Sequence, residues 1–366
     1  MRKMNDFIEK SEDLHGYRVG AELLEYLDMK NKPLSEILRL NQNENLFLPP
    51  SFHQGIIRDV SGTVDLRCYP LTERLELEKA LGEYLCIPSE QIVLGSGGDN
   101  IIELTLNSCL NSGDSLIAVT PTFSMYPRTT KINDAVYVSV DIDEDFSLNV
   151  EKVITNFDER SKILVLCNPN NPTSNQFKKK SVRALIEAFP GLVLVDEAYA
   201  EFGEYSLVEE VDRYDNLVVL RTFSKAFGMA GLRLGYGVTN RKLATIYNKK
   251  YLSPYPLSSI ALKLGVNILK KKQLILQLVE EIKETRKWFV DMMNLIDGVR
   301  AFPSSTNFVL ASLEMDYGKA YQSLLDRDIL IRKVGRVPGY DNCIRVSLAP
   351  REYLERFLKV LKEVMD

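Results

Sequence analysis

Short apolar segments rich in β-branched residues recur along the first two thirds of the chain, and helical patterns lie between several of them. These segments are residues 92–94, 116–119, 163–167, 192–195 and 217–220. Strands that alternate with helices form parallel sheets covered on both faces, so the pattern predicts a mostly parallel sheet sandwiched by helices. Leucines at helical spacing predict a helix over 71–85, and the apolar positions after Gly98 predict a buried helix that begins near Asp99.

The last third of the chain has a different pattern. Apolar residues at helical spacing run from Leu274 to Ile296, and the Asp297-Gly298 pair predicts the end of this helix. The remaining predictions are a final helix over 352–364 and strands of a small sheet at 308–310, 329–331 and 344–346. We therefore expect an α/β fold with a large sheet domain and a smaller α/β C-terminal domain. The expected divisions are an N-terminal arm (1–45), a large domain (46–255) and a small domain (256–366).

Composition narrows the classes of function. Of the 366 residues, 45% are hydrophobic and 26% are charged, which is typical of a globular protein, and the formal net charge of −4 disfavours a nucleic-acid partner. The sequence has no apolar run of membrane-spanning length and no signal-peptide core, so we expect no membrane partner and a cytoplasmic location. Five cysteines without a C-x-x-C pair favour neither a disulfide framework nor a zinc ribbon, and the two histidines, His15 and His53, lack the partners of a metal site. So few histidines also argue against a hydrolase triad.

The segment from Thr222 to Arg233 carries the strongest chemical signal. It reads Thr-Phe-Ser-Lys-Ala-Phe-Gly-Met-Ala-Gly-Leu-Arg. Lys225 can condense with the aldehyde of pyridoxal phosphate, while the neighbouring hydroxyls of Thr222 and Ser224 and the charge of Arg233 can hold the phosphate. A lysine beside a serine is also common in solvated surface loops, so this segment alone is only suggestive.

Two upstream segments support the same cofactor. An apolar strand ends at Asp196, where a carboxylate can face the ligand crevice of an α/β sheet and pair with the protonated pyridine nitrogen. An Asp-Glu pair after a strand is also typical of magnesium-binding nucleotide sites, but the phosphate loop that such sites need is missing from the sequence. Asn171 lies in the rigid turn Asn-Pro-Asn-Asn-Pro-Thr after another strand, and with Tyr199 it would donate hydrogen bonds to the phenolic oxygen of the cofactor.

The glycine pair at 97–98 predicts an anion site. Backbone N–H groups at the start of the helix near Gly98 and Asp99 would face an anion, and the positive helix end suits the cofactor phosphate. The pair is not a dinucleotide-binding loop, because Asn100 stands where the third glycine of that motif is required.

Taken together, these segments resemble the fold-type-I pyridoxal-phosphate aminotransferases, and within them the histidinol-phosphate aminotransferase branch. The resemblance covers nearly the whole chain. Further matching segments are residues 40–45 (LNQNEN), 67–70 (RCYP), 95–100 (GSGGDN), 121–126 (PTFSMY), 305–308 (STNF) and 343–346 (CIRV).

The resemblance implies a fold-type-I pyridoxal phosphate transferase fold and a role for each candidate residue. Lys225 would be both the tether of the cofactor and the general acid–base, and Tyr126 would stack on the cofactor ring. The implied phosphate cup consists of Gly98, Asp99, Thr222, Ser224 and Arg233. The resemblance also implies a homodimer with shared active sites, in which Tyr69 reaches the neighbour's phosphate.

Substrate recognition is likewise implied by the resemblance. Arg332 and Arg345 match arginines that contact the anionic end of the substrate, and a guanidinium on an apolar strand suits a phosphate or a carboxylate. Tyr17 would close over the substrate, and Asn43 and Asn171 would also contact it. The expected reaction is transfer of the amino group of L-histidinol phosphate to 2-oxoglutarate, which gives imidazole acetol phosphate and L-glutamate in histidine biosynthesis.

Two alternatives stay open on the sequence alone: an aromatic or broad-specificity amino-acid aminotransferase, and a threonine-phosphate decarboxylase. Four positions depart from the family pattern and weaken the substrate assignment more than the cofactor assignment. Ser174 stands where glycine is usual, Cys68 interrupts Arg-Tyr-Pro, Leu46 replaces a proline, and Asn100 replaces an acidic residue.

Overall fold

The computed structural model describes residues 26–27 and 33–366. In chain order the strands are β1 (Leu38–Arg39), β2 (Ile92–Gly95), β3 (Ser115–Thr120), β4 (Val136–Asp141), β5 (Ser161–Cys167), β6 (Leu192–Asp196), β7 (Leu217–Thr222), β8 (Gly235–Thr239), β9 (Val299–Ala301), β10 (Phe308–Leu313), β11 (Ile329–Leu330), β12 (Arg332–Val337) and β13 (Tyr340–Ser347). The α-helices are α1 (Pro50–Ser61), α2 (Leu71–Leu85), α3 (Gly98–Cys109), α4 (Met125–Ile132), α5 (Val150–Ile154), α6 (Lys179–Ala188), α7 (Arg241–Ile246), α8 (Ser259–Lys270), α9 (Lys272–Met293), α10 (Tyr317–Leu325) and α11 (Arg351–Met365). None of the helices among the described residues is long and apolar enough to cross a bilayer.

The large sheet has seven strands in the order β2-β8-β7-β6-β5-β3-β4. The pairs from β7 through β4 are parallel, and only β8 runs antiparallel to both of its neighbours. The side chains of β6 and β7 are almost wholly buried, as expected of strands covered by helices on both faces. The predicted α/β class with a mostly parallel sheet is therefore confirmed, as are the five strands predicted in this region.

Two strands of this sheet have no counterpart among the sequence predictions. Strand β4 lies at the edge of the sheet and is largely exposed, so it lacks a continuous apolar run. Strand β8 contains Gly235 and Gly237, and glycine is a poor strand former. A β-carbon at Gly235 would lie only 2.5 Å from the carbonyl carbon of Gly97, so the close approach of two backbones requires glycine there.

The small sheet is antiparallel and has the order β12-β13-β10-β9. The prediction that residues 329–331 belong to it was wrong, because β11 instead pairs with β1 in a separate two-stranded parallel sheet. The predicted connector helix is α9, but it ends at Met293 and not at Asp297-Gly298. Gly298, with φ of 73°, lies in the turn that leads into β9.

The described end of the predicted arm joins the two-stranded sheet to the small sheet. The N–H of Leu40 donates to the carbonyl of Leu330, and the N–H of Ser347 donates to the carbonyl of Leu40. Further along the chain, α8 packs on α1 and α2. The exact domain divisions at 45 and 255 stay predictions.

Candidate active site

Lys225 lies in the loop that follows β7, half-buried at the carboxyl edge of the large sheet. Its ammonium donates a hydrogen bond to the carbonyl of Gln42 at 3.1 Å and lies 5.6 Å from the centre of the Tyr199 ring. Burial, followed by the positive charge of Arg345, lowers the pKa of Lys225 from 10.5 to about 8. An amine with this pKa is partly neutral near physiological pH, which is the form that attacks a carbonyl carbon.

Asp196 is the last residue of β6 and is buried. The hydroxyl of Tyr126 donates to its Oδ2 at 2.7 Å, and the N–H of Ala198 donates to its Oδ1 at 3.0 Å. Burial raises the pKa of the Asp196 carboxyl, while these two hydrogen bonds and the charge of Lys225 act in the opposite direction. The site thus holds a buried carboxylate that a cationic ligand group would stabilise.

The predicted stacking of Tyr126 on a planar ligand does not agree with its surroundings. Its side chain is 0% exposed, and its hydroxyl is bound to Asp196. A side chain that covers the face of a ligand must leave its own ring face accessible when that ligand is absent. The half-buried Phe123, which meets the edge of Tyr126 at 5.9 Å between ring centres, fits this requirement better. Both aromatic residues belong to the segment 121–126, and they differ in the direction in which their side chains point.

The anion site predicted from the glycine pair would lie at the start of α3. Gly97 has φ of 85° and immediately precedes the helix, so the N–H groups of its first turn point towards the site. A β-carbon at Gly97 would lie 2.6 Å from Nη2 of Arg233, which shows how closely this guanidinium approaches the turn. Arg233 also pairs with Asp99, with 3.0 Å between Nη2 and Oδ2.

Two hydroxyls complete this end of the site. Thr222 and Ser224 are both buried, with 3.1 Å between their hydroxyl oxygens. Thr222 is paired with Gly235 across β7 and β8, and Gly235 is paired with Gly95 at the end of β2. The sheet register therefore brings the predicted phosphate-binding residues to one corner, although they come from segments more than 100 residues apart.

Arg345 lies on the opposite side of the site, on β13 of the small sheet. Its Nη1 donates to Oδ1 of Asn171 at 2.5 Å, and its Nη2 donates to the carbonyl of Asn41 at 2.7 Å. Arg332, an exposed residue, is directly opposite Arg345 in the antiparallel register of β12 and β13. Residues opposite each other in an antiparallel pair project from the same face, and like charges there repel. An anion between or beside the two guanidiniums would relieve this repulsion.

Tyr199 is buried beside Lys225, and burial is the main reason why the pKa of its hydroxyl is raised. The side-chain amide of Asn43 donates to this hydroxyl at 3.0 Å. The hydroxyl of Ser347 donates to the carbonyl oxygen of the same amide at 3.2 Å. Asn43, predicted to contact substrate, therefore reaches the site, but both ends of its amide are engaged by protein groups.

The remaining two predicted residues lie away from this cluster or outside the described residues. Tyr69 is 78% exposed and stacks on Tyr255, with 4.6 Å between ring centres. Tyr17 lies outside the described residues.

A buried ion cluster lies immediately behind the site. Arg221, the residue before Thr222, pairs with Glu197 at 3.2 Å and with Glu201 at 2.6 Å. All three side chains are nearly inaccessible to solvent. The cluster joins the ends of β6 and β7, which carry Asp196 and Thr222, and thereby fixes the spacing of these two strand ends. Its residues were missed because charged residues in the sequence carry no signal of burial.

Known proteins are similar to this chain over nearly its whole length. Residues 35–361 match the family model for aminotransferase class I and II. The chain belongs to this aminotransferase family. The histidinol-phosphate aminotransferase of Caldanaerobacter subterraneus subsp. tengcongensis is 33% identical to it over 329 residues, which cover 90% of this chain and 93% of that protein. The histidinol-phosphate aminotransferase of Methanocaldococcus jannaschii is 32% identical over 372 residues, which cover 100% and 98%.

Solved aminotransferase structures have the same fold. The histidinol-phosphate aminotransferase of Sinorhizobium meliloti in complex with pyridoxal-5'-phosphate aligns with a TM-score of 0.86 at 24% identity, over 97% of this chain and 96% of that chain. The enzyme of Clostridium acetobutylicum aligns with a TM-score of 0.82 at 28% identity, over 90% and 99%. The predicted transferase fold and the resemblance to the histidinol-phosphate aminotransferase branch are confirmed.

Proposed function

We propose that this aminotransferase uses pyridoxal phosphate to move the amino group of L-histidinol phosphate to 2-oxoglutarate. The observation that carries the proposal is the convergence of Lys225, Asp196 and Arg345 on one site, with Arg332 directly opposite Arg345 in the register of the small sheet. Lys225 and Asp196 suit the cofactor, and the two arginines suit an anionic substrate. The names of the relatives favour histidinol phosphate among the possible donors.

The residues of the site fit the cofactor in chemistry and in position. When bound, pyridoxal phosphate supplies an aldehyde that condenses with amines and a conjugated ring that accepts electrons. Lys225 would hold the cofactor and later carry the proton between carbon atoms, because its lowered pKa suits both tasks. Asp196 would pair with the ring nitrogen, and Phe123 would cover the ring face. The amide of Asn171 and the hydroxyl of Tyr199 would donate to the phenolic oxygen.

The phosphate of the cofactor would lie at the start of α3. Gly98 and Asp99 would contribute N–H groups, since these belong to the unpaired donors of the first helical turn. Thr222 and Ser224 would add hydroxyl donors, and Arg233 would add a guanidinium in exchange for part of its contact with Asp99.

The arginine pair would select the substrate. Histidinol phosphate and 2-oxoglutarate differ in the amino or keto end but share an anionic group that Arg332 and Arg345 could bind. The Asn171 and Asn41 contacts hold one face of Arg345, so its orientation is fixed before substrate arrives.

We also propose a homodimer that shares its active sites. Apolar side chains on α1, on the loop that follows it and on α2 are exposed in the single chain: Ile57, Leu66, Tyr69, Leu71 and Leu75. Exposed apolar patches of this kind mark protein interfaces, and a symmetric dimer would bury the same patch on both subunits. Tyr69 would then contact the phosphate site of the partner. The cytoplasmic location expected from the sequence stays a prediction.

Donor preference tests the reaction. Steady-state kcat/KM should be highest for histidinol phosphate, and histidinol without phosphate should be a poor donor, because only the phosphate engages the arginine pair. Preference for phenylalanine or tyrosine would instead select the aromatic aminotransferase, and carbon dioxide release from threonine phosphate would select the decarboxylase. Arg332→Gln should remove most of the preference for the phosphorylated donor. Arg336→Gln, which deletes an exposed cation of the same strand, is the matched control and should retain it.

Subunit mixing tests the shared site. Lys225→Ala and Tyr69→Ala variants, each of low activity alone, should regain activity when they are unfolded and refolded together. Random pairing makes half of the dimers mixed with one intact site each, so recovery should approach about a quarter of the wild-type activity. Dimers that form without any recovery would place Tyr69 outside the partner's site.

A further inference from the structure

A one-way chain of hydrogen bonds links the small sheet to the hydroxyl of Tyr199. It begins at the backbone N–H of Asn43, which donates to Oγ of Ser347 at 2.8 Å. The Ser347 hydroxyl donates to Oδ1 of the Asn43 amide at 3.2 Å, and the other end of that amide, Nδ2, donates to the Tyr199 hydroxyl at 3.0 Å.

The direction of this chain follows from the hydrogen bond at its start and from the orientation of the Asn43 amide. A backbone N–H can only donate, so the Ser347 oxygen must accept from it and direct its own hydrogen elsewhere. The nearby amide oxygen of Asn43 accepts that hydrogen, so the NH₂ end of the amide faces Tyr199. The Tyr199 oxygen thus accepts a hydrogen bond from the protein, and its single hydrogen remains available to the site.

The backbone around Asn43 is shaped for this contact. Asn43 has φ of 56°, a left-handed conformation that side chains other than glycine adopt at a cost, and it is 1% exposed. Its carbonyl accepts from the amide of Asn307 at 3.0 Å, which provides a second anchor to the small sheet. Asn43 is buried and is hydrogen-bonded through its backbone and through both ends of its amide, as expected of a residue whose side chain has to be held in one direction.

We infer that Asn43 is a positioning residue that makes Tyr199 a hydrogen-bond donor towards the bound cofactor. The inference rests on the proposed function, in which Tyr199 donates to the phenolic oxygen. In this role Asn43 acts through Tyr199, and not by the direct contact with substrate that the sequence predicted. Donation from Asn43 also polarises the Tyr199 hydroxyl and strengthens its outgoing hydrogen bond.

This role has a spectroscopic consequence. A donor at the phenolic oxygen stabilises negative charge there, so it makes the proton on the adjacent nitrogen, which links the cofactor to Lys225, easier to remove. Loss of the donor should raise the pH midpoint at which the visible absorbance of the bound cofactor changes. The titratable and charged groups that face Tyr199, namely Lys225, Arg345, Asp196 and the thiol of Cys167, are unchanged by a neutral substitution at Asn43.

The test is a double-mutant cycle read by absorbance titration of the cofactor-loaded protein without substrate. Asn43→Gly removes the amide while glycine accepts the left-handed backbone, and we expect it to raise the midpoint by about half a pH unit, as for loss of a modest hydrogen bond. Tyr199→Phe should raise the midpoint further. In the Tyr199→Phe background, Asn43→Gly should have no additional effect, because its path to the cofactor is gone.

Two further variants separate positioning from general damage. Ser347→Ala frees the Asn43 amide to rotate by 180°, so it should raise the midpoint by a smaller amount, and only when Tyr199 is present. This variant replaces Asn43→Gly in the test if Asn43→Gly fails to fold. Asn216→Ala deletes amide hydrogen bonds to the carbonyls of Ile186, Phe189 and Gly191 just before β7 begins, at the other end of that strand from Thr222, and should lower stability without moving the midpoint. The inference is overturned if Asn43→Gly leaves the midpoint unchanged, or shifts it equally with and without the Tyr199 hydroxyl. Cofactor binding is tested separately, by the visible absorbance of the wild-type protein after addition of pyridoxal phosphate. If that absorbance is missing, the proposed function fails, whatever the role of Asn43.

Discussion

Lys225 should capture the cofactor at a pH where an ordinary lysine is almost wholly protonated. Its pKa is lowered from 10.5 to about 8, mainly by burial and then by Arg345. This difference makes the neutral amine about 300-fold more abundant at pH 7, because each pKa unit is a factor of 10. The rate of cofactor capture by the cofactor-free protein should therefore rise with pH and level off a little above pH 8.

Rapid-mixing absorbance between pH 6 and pH 11 measures this rate. The same titration with a free lysine derivative corrects for ionisation of the cofactor itself. Arg345→Met should move the midpoint upwards but not restore it to 10.5, because burial remains the larger cause. Arg300→Met, which removes an exposed cation from β9, is the control and should leave the midpoint in place.

A wild-type midpoint near 10 would refute this reasoning, as would a downward shift in Arg345→Met. The same lowered pKa affects stability, because the folded protein has to bury an ammonium below pH 8. Lys225→Met should therefore stabilise the cofactor-free protein at pH 7 by up to about 3 kcal/mol. The sign follows from proton binding: between pH 8 and 10.5 the unfolded chain holds the extra proton, so wild-type stability rises with pH and the advantage of the variant shrinks. Urea unfolding at pH 7 and pH 10 measures the difference.

Three other substitutions have clear expected outcomes. Asp196→Asn should lower kcat/KM at least about 10-fold, because it removes a charge-assisted hydrogen bond to the cofactor. The same variant should leave the cofactor-free protein no less stable, because burial raises the pKa of the Asp196 carboxyl and thus disfavours its charged form. A large fall in melting temperature would contradict this expectation. Arg221→Met should cost about 3–5 kcal/mol in urea unfolding, since it leaves two buried glutamates unpaired, whereas Arg213→Met at an exposed ion pair should cost less than about 1 kcal/mol. Ser174 has φ of 64° and makes only a weak 3.4 Å contact through its hydroxyl, so in urea unfolding Ser174→Gly should be at least as stable as wild type and Ser174→Ala less stable by about 1 kcal/mol. The reverse order would show that the hydroxyl matters more than the backbone.

The sequence predicted the parts of the site that depend on local order. Asp196 follows an apolar strand and Lys225 follows the next one, and the carboxyl ends of neighbouring parallel strands meet at one edge of a sheet. Fold and cofactor chemistry could be predicted for this reason. Strand β8 could not, because its glycines are needed for close backbone approach and conceal its strand character.

The direction of the side chains is the part of the site that the sequence could not predict. Phe123 and Tyr126 lie in one short segment, and nothing in its composition indicates which ring faces the ligand and which supports Asp196. Asn43 posed the same difficulty, because its partners Tyr199 and Ser347 lie 156 and 304 residues away along the chain. Contacts between such distant residues depend on how the two sheets meet, which no local pattern records.

The facing arginines of β12 and β13 bear on how the protein is handled. Because Arg332 and Arg345 are directly opposite each other in the sheet register, inorganic phosphate or sulfate should bind near them in common buffers. Such ions would compete with substrate and raise its apparent KM without altering kcat. Kinetic comparisons between donors are therefore best made in buffers whose anions are large and weakly coordinating.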